Sequence, residues 1–269
     1  MSKAIEIAIS GAGTNGAAEA GAVAALEDLG YPVRFSVGTS AGSIVAALVA
    51  LGVPGRQMKQ IILAADYAKL IDYQPWMIPF RWSLASAANV QAWLREITDG
   101  QQMRDCQIPL TTVSADLVEQ RPVYWRSAQV PEMPVWQAVY SSMAIPYVFP
   151  KWLDRYVDGG TMDNLPVAEL PGRGKRLALL ATETSGTGPV QGPMDEAGRI
   201  LSMLLSANVD QAKVYARAMG VPVVALPCDN LGFLDRHQTR NEKLGLWQAG
   251  YQAVMRLMES QEGKAWAAQ

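Results

Sequence analysis

The sequence predicts an α/β fold in which helices wrap a parallel sheet. Two observations carry this. A strand, a glycine-bearing turn and a helix occur twice in succession within the first ~50 residues, the order that builds parallel strands with helices between them. Further on, the short apolar runs 175–181 and 221–226 read as buried strands and flank a long helical pattern at 196–218.

Taken in order, residues 4–10 alternate and are rich in Ile, which suits a short buried strand. The turn Gly11-Ala12-Gly13-Thr14-Asn15-Gly16 follows. A helix is expected over 17–29, Ala-rich with Val23, Leu26 and Leu29 apolar and Gly30 to end it. Pro32 restarts the chain into a strand, Val33 to Val37. A second turn, Gly38-Thr39-Ser40-Ala41-Gly42, enters a helix from Ser43 to Leu51 that is apolar on every face and therefore buried on all sides. Residues 66–88 carry Tyr67, Tyr73, Trp76, Phe80 and Trp82 among prolines with little helical period, which predicts a loop-rich aromatic insertion. Asn89 is expected to cap a helix that runs to about Ile97. A strand at 108–116, its hairpin partner at 121–126, a short helix from Pro134 to Ser142, a short strand from Arg155 to Val157 and a long helix at 239–259 complete the reading. No linker-like stretch divides the chain, so residues 1–269 are expected to form one domain.

The composition excludes several classes. Hydrophobic residues make up 49%, too many for a disordered chain. The formal charge of −2 excludes a nucleic-acid binder that works by bulk positive charge. One histidine, His237, and two cysteines far apart, Cys106 and Cys228, offer no metal cluster and no disulfide framework. No metal or other cofactor is expected. The opening residues lack a secretory apolar core, and no run of 18 apolar residues occurs. A cytoplasmic protein is expected, and peripheral membrane contact or secretion without a cleaved signal is compatible with that.

Three motifs carry chemistry. Gly38-Thr39-Ser40-Ala41-Gly42 is a G-x-S-x-G between a strand and a helix. A serine on such a turn points its hydroxyl outward, and the following helix aims its first amides at developing negative charge. The bland alternative is a serine that merely caps the helix. Gly11–Gly16 is a G-x-G-x-x-G. A dinucleotide site would need a carboxylate at the tip of the second strand, and Val37-Gly38-Thr39 supplies none. An oxyanion loop, whose backbone N–H groups face the nucleophile, and an ordinary turn both stay open. Asp158-Gly159-Gly160 is a turn unless a base is needed. His237 is the only histidine and completes a Ser…Asp…His order, but it sits in a polar run before a helix and reads as a solvated surface residue.

In this order the motifs resemble the patatin-like phospholipase family. Gly11, Ala12, Gly13, Thr14 and Gly16 match its oxyanion loop, Gly38 to Gly42 its nucleophile elbow, and Asp158-Gly159-Gly160 with Asn164-Leu165-Pro166 its aspartate motif. Ala115-Asp116-Leu117, Ser141 to Pro146, Phe149-Pro150 and Gly250-Tyr251 are similar to further family segments. The resemblance implies a three-layer α/β/α sandwich with a mostly parallel sheet. It also implies a Ser40–Asp158 dyad that hydrolyses lipid acyl esters without histidine or metal. Two positions depart from the family pattern: Ala12 stands where glycine is usual and Asn15 where a basic residue is usual.

The expected activity is therefore acyl-ester hydrolysis on phospholipids or related lipids through an acyl-Ser40 intermediate, with Asp158 as base and Gly13 and Thr14 as the foremost oxyanion donors. The aromatic residues Trp76, Phe80 and Trp82 are expected to meet a membrane or micelle surface; the plain alternative is that they pack over the core. Two rival functions remain: a Ser40–Asp158–His237 esterase on soluble esters, and a catalytically silent lipid-binding module.

Overall fold

The computed structural model describes residues 3–78, 82–182, 189–190, 193–228 and 234–268. Its sheet is built from β1 (Ile5–Ile9), β2 (Val33–Thr39), β3 (Leu110–Asp116), β4 (Arg121–Arg126), β5 (Tyr156–Asp158), β6 (Lys175–Thr182) and β7 (Val223–Pro227). The order across the sheet is β4-β3-β2-β1-β6-β7, with β5 also paired to β3. β1, β2, β3, β6 and β7 run parallel, while β4 and β5 run antiparallel to β3.

Side-chain alternation along the strands divides the core in two. Ile5, Ile7 and Ile9 of β1 and Leu177 and Leu179 of β6 point to one face. Helices α1 (Ala17–Asp28), α2 (Ala41–Ala50) and α3 (Gly55–Ala64) cover that face. Ala8, Ala178 and Leu180 point the other way, where Val209 and Ala216 of a long helix, Pro193–Ala218, meet them. The fold is thus a mixed α/β structure with helices on both faces of a mostly parallel sheet, as the sequence predicts. Helix α2 is buried along almost its whole length, which its all-apolar surface requires.

Two helices escape the sequence reading: α3, whose apolar stripe is narrow, and a C-terminal one, Gln261–Ala268. The expected cap at Asn89 is a correction. The helix spans Ala88–Ile97, and the Ser86 hydroxyl accepts the Ala88 N–H at 3.3 Å, so Asn89 lies inside it. The Asn89 side chain instead donates to the Lys69 carbonyl at 2.8 Å. In the aromatic segment a helical turn, Tyr67–Leu70, and a 3-10 turn, Pro75–Met77, are joined by irregular chain, and Tyr73 bridges Ala85. Phe80 lies outside the described residues. No helix among the described residues is long and apolar enough to cross a membrane.

The helix Arg240–Glu259 crosses α1 at glycines on both partners. A Cβ at Gly21 would meet the Trp247 carbonyl, and one at Gly250 the Ala18 carbonyl. Backbone against backbone leaves nothing flexible to move aside. Gly250→Ala is therefore expected to lower the unfolding free energy by about 1–3 kcal/mol, the usual range for overpacking. Denaturant titration of the two proteins measures it, and an unchanged midpoint would contradict the close crossing.

Candidate active site

The site begins with a shared strand edge. On one edge of β3, β4 pairs with Thr111 to Asp116. On the other, β2 pairs with Leu110 at Ser36 through Val113 at Thr39, and β5 continues with Ser114 opposite Asp158 through Asp116 opposite Tyr156. Ser40, the next residue after β2, and Asp158, the last of β5, are thereby brought end to end. A two-pronged contact from Arg155 to Asp116, with Nε–O distances of 2.7 and 2.8 Å, pins the hairpin that delivers β5. That guanidinium holds the Asp116 carboxyl well below the usual carboxylate range.

Ser40 has φ 52° and ψ −127°, a conformation that costs a non-glycine residue on the order of 1–3 kcal/mol. The sharp turn imposes it. A Cβ at Gly38 would meet the Gly42 carbonyl, and one at Gly42 the Ser10 carbonyl, so the turn closes only with glycine at both places. Surrounding bonds hold the strained residue. The Ser40 N–H donates to Ser142 Oγ at 3.0 Å, and the Ser40 carbonyl accepts from the Ser43 hydroxyl at 2.6 Å.

Ser40 is the residue before α2, yet its hydroxyl makes no capping bond to that helix. It donates to Asp158 Oδ2 at 2.5 Å, which sets aside the reading of a mere helix cap. Asp158 Oδ1 accepts the Gly160 N–H at 2.7 Å. Gly159 and Gly160 open a 3-10 turn, Gly159–Thr161, and Asn208 holds it from behind through the Gly160 and Thr161 carbonyls at 3.2 and 3.1 Å. Burial raises the Asp158 carboxyl to about 6, against the opposing pull of the Ser40 and Gly160 hydrogen bonds.

The glycine-rich loop lies against this pair. Gly11 donates its N–H to the Asn164 carbonyl at 3.1 Å, so that amide is committed and is no oxyanion donor, a correction to its place in the sequence group. A Cβ there would run into Asn164 Oδ1 and lie 3.1 Å from Ser40 Cβ, which explains the glycine. Ala12 is buried at φ −137°, a value open to any residue. Gly13 takes φ +56°, and its amide has no acceptor among the described residues. Gly13, Thr14 and Gly16 line the same cleft as Ser40 and Ala41. The rest of that cleft is mainly apolar, with Ile44, Ile62, Val90, Trp93 and Phe149 in its wall.

His237 is exposed at the surface and does not line the cleft, as its polar sequence context implies. Trp76 and Trp82 are 68% and 75% exposed, which removes them from the core. Among the described residues no three His, Cys, Asp or Glu side chains gather closely enough to hold a metal ion. Sequence reasoning missed the contacts made by Ser142, Asn208 and Gln238. Each joins segments more than 40 residues apart, and no local pattern marks such a bond.

Comparison with known proteins identifies the family and the fold. A family model described as patatin-like phospholipase matches residues 7–171. The chain is 27% identical to the uncharacterized protein YqhO of Bacillus subtilis, over 91% of this chain and 95% of that one. It is also 27% identical to the lysophospholipase nte1 of Aspergillus fumigatus, over 64% of this chain but only 11% of that much longer protein. Its fold resembles that of VipD from Legionella pneumophila, with a TM-score of 0.64 at 14% identity, covering 95% of this chain and 66% of that one. The chain therefore belongs to the patatin-like phospholipase family of lipid acyl hydrolases.

Proposed function

We propose that this protein hydrolyses fatty-acyl esters of phospholipids or related lipids with a Ser40–Asp158 dyad. The observation that carries the reading is the 2.5 Å contact from Ser40 Oγ to Asp158 Oδ2 at the head of an apolar cleft. As the Ser40 oxygen bonds to the ester carbonyl carbon, its proton passes to Asp158 Oδ2. The carbonyl oxygen gains the negative charge, and the Gly13 amide, with Thr14 and Ala41 beside it, faces the space where that charge forms. Collapse of the tetrahedral intermediate expels the alcohol, which takes the proton from Asp158. Water then attacks acyl-Ser40, giving its proton to the same carboxylate; collapse of the second intermediate breaks the bond to Ser40 Oγ and releases the acid, and Asp158 returns that proton to Ser40 Oγ. A base raised to about 6 is largely ionised at neutral pH yet more basic than a solvated carboxylate.

The aromatic segment is the surface we assign to the lipid interface. Tyr73, Trp76, Ile78 and Trp82 are exposed, and Tyr147 joins them because the Leu84 N–H donates to the Tyr147 carbonyl at 2.7 Å. Aromatic rings with a polar edge suit the headgroup region.

Ser40→Ala and Asp158→Asn are each expected to lower kcat by about a thousandfold or more in a folded protein, because dyad members act as a unit. If Asp158→Asn kept over about a tenth of wild-type kcat, a loss under about 1.4 kcal/mol of barrier, the dyad would be wrong. The pH profile is an independent check. The base works only as the carboxylate, so kcat/KM on a soluble ester should climb as pH rises through about 6 and level off above it. A limb near pH 4 would mean a solvated base. Replacing Trp76 and Trp82 with Ser should depress hydrolysis of vesicle lipid far more than that of a short soluble ester, since each ring leaving water contributes roughly 1.5–3 kcal/mol. Equal losses on both substrates would refute the interface.

A further inference from the structure

Gln238 belongs to none of the catalytic motifs, yet its side chain reaches the oxyanion loop from the far end of the sequence. It is buried, and its Nε2 donates to Thr14 Oγ1 at 3.1 Å and to Asn15 Oδ1 at 2.9 Å. Thr14 and Asn15 are two of the three residues in the 3-10 turn Gly13–Asn15, so one amide holds both side chains of the turn that presents the Gly13 N–H. The segment carrying Gln238 is itself fixed on both sides. Upstream, the Arg236 guanidinium donates to the Ile71 carbonyl at 3.2 Å and lies over the Tyr73 ring at 4.7 Å. Downstream, Thr239 and Glu242 form a reciprocal capping box at the start of the helix Arg240–Glu259. That helix is locked to α1 at the Gly21 and Gly250 crossing, and α1 begins directly after the oxyanion turn. A short strut thus runs from a rigid helix pair to the loop.

We propose that Gln238 is a positioning residue for the oxyanion loop: its two hydrogen bonds fix the Gly13–Asn15 turn so that the Gly13 amide stands ready where the carbonyl oxygen becomes charged. Oxyanion stabilisation depends on donors that need no reorganisation during the reaction, and a glycine at positive φ gains its fixed orientation only from its neighbours. Gln238 touches no reacting atom and acts through Thr14 and Asn15. The inference rests on the proposed role of this loop in ester hydrolysis.

The test uses the full chain and two readouts, hydrolysis of p-nitrophenyl butyrate and phosphonylation of Ser40 by a fluorophosphonate. Gln238→Met keeps the length of the side chain and removes its donors. It is expected to lower kcat by about tenfold, less than loss of a direct oxyanion donor, with KM within about twofold. The second-order rate of phosphonylation should fall by a similar factor, since that reaction also places charge on an oxygen facing the loop, and the thermal midpoint should stay within a few degrees. Unchanged kcat in folded Gln238→Met overturns the proposal, and so does a loss that appears only in KM or only in thermal stability. Should Gln238→Met not fold, Thr14→Val combined with Asn15→Leu cuts both contacts at their other ends with little change of shape, and the same outcomes decide. Ser40→Ala run in parallel separates the two levels. Butyrate ester hydrolysis that survives Ser40→Ala overturns the proposed function together with this inference, whereas Ser40-dependent hydrolysis indifferent to Gln238→Met overturns the inference alone.

Discussion

One edge of β3 holds two strands end to end, β2 over Leu110–Val113 and β5 over Ser114–Asp116, and this sharing sets the separation of Ser40 and Asp158. Ladder spacing leaves little freedom once both registers are fixed. The remaining polar contacts adjust a distance that the sheet has already established. Ser142 receives the strained Ser40 amide, Gly160 takes the outer oxygen of Asp158, and Asn208 clamps the turn behind it. The Asp116–Arg155 pair belongs to the same constraint, because β5 is only three residues long and has little ladder of its own.

Three carboxyl groups with little exposure show what sets the basicity of the proposed base, Asp158. Asp116 has a guanidinium against it and is held low. Glu19, fully buried in the first turn of α1, has no hydrogen-bond partner for either oxygen among the described residues and is pushed well above the usual range. Asp158 is raised to about 6, with burial as its largest influence and two hydrogen bonds, but no cation among the described residues, to oppose it. A cation at that place would hold the carboxylate ionised and weaken it as a base. A site without any polar partner would leave it protonated at neutral pH. Hydrogen-bond donors that carry no charge temper the effect of burial, which suits a carboxylate to the proposed role of general base.

The fold class and the order of the strands along the chain were legible in the sequence because each has a local signature, whereas Asp158 stood out only through the resemblance carried by the ordered motifs. Apolar runs bounded by Gly and Pro mark the strands. Gly38, Ser40 and Gly42 are read together because they fall within five residues, although only the Gly38 approach lies inside the turn and the Gly42 approach is to Ser10. Asn89 misled because capping propensity is a statement about one residue, and the competing hydroxyl of Ser86 stood three places earlier. Gly11 misled for a related reason. Its small size serves close approach to Asn164, more than 150 residues away, and a motif cannot tell that use from an open amide. Asn208 and Gln238 carry no pattern at all, and the family-like segment around Ser142 does not reveal its bond to Ser40, since these partners are set by tertiary packing.

The departures at positions 12 and 15 can be weighed on the same physical terms. Ala12 sits at a negative φ and is buried, so a methyl group costs nothing there, whereas the next residue, at φ +56°, is the glycine that the turn needs. Asn15 is wholly buried and meets the amide of Gln238, a neutral partner for a neutral side chain. A lysine or arginine in its place would bring a charge into a region whose nearest acid along the chain, Glu19, is pushed by burial toward its neutral form. An amide pair avoids that cost and still supplies a fixed hydrogen bond to the loop. The charge stabilisation asked of this loop then falls to backbone N–H groups and to the first amides of α2, whose orientation the fold sets before substrate arrives.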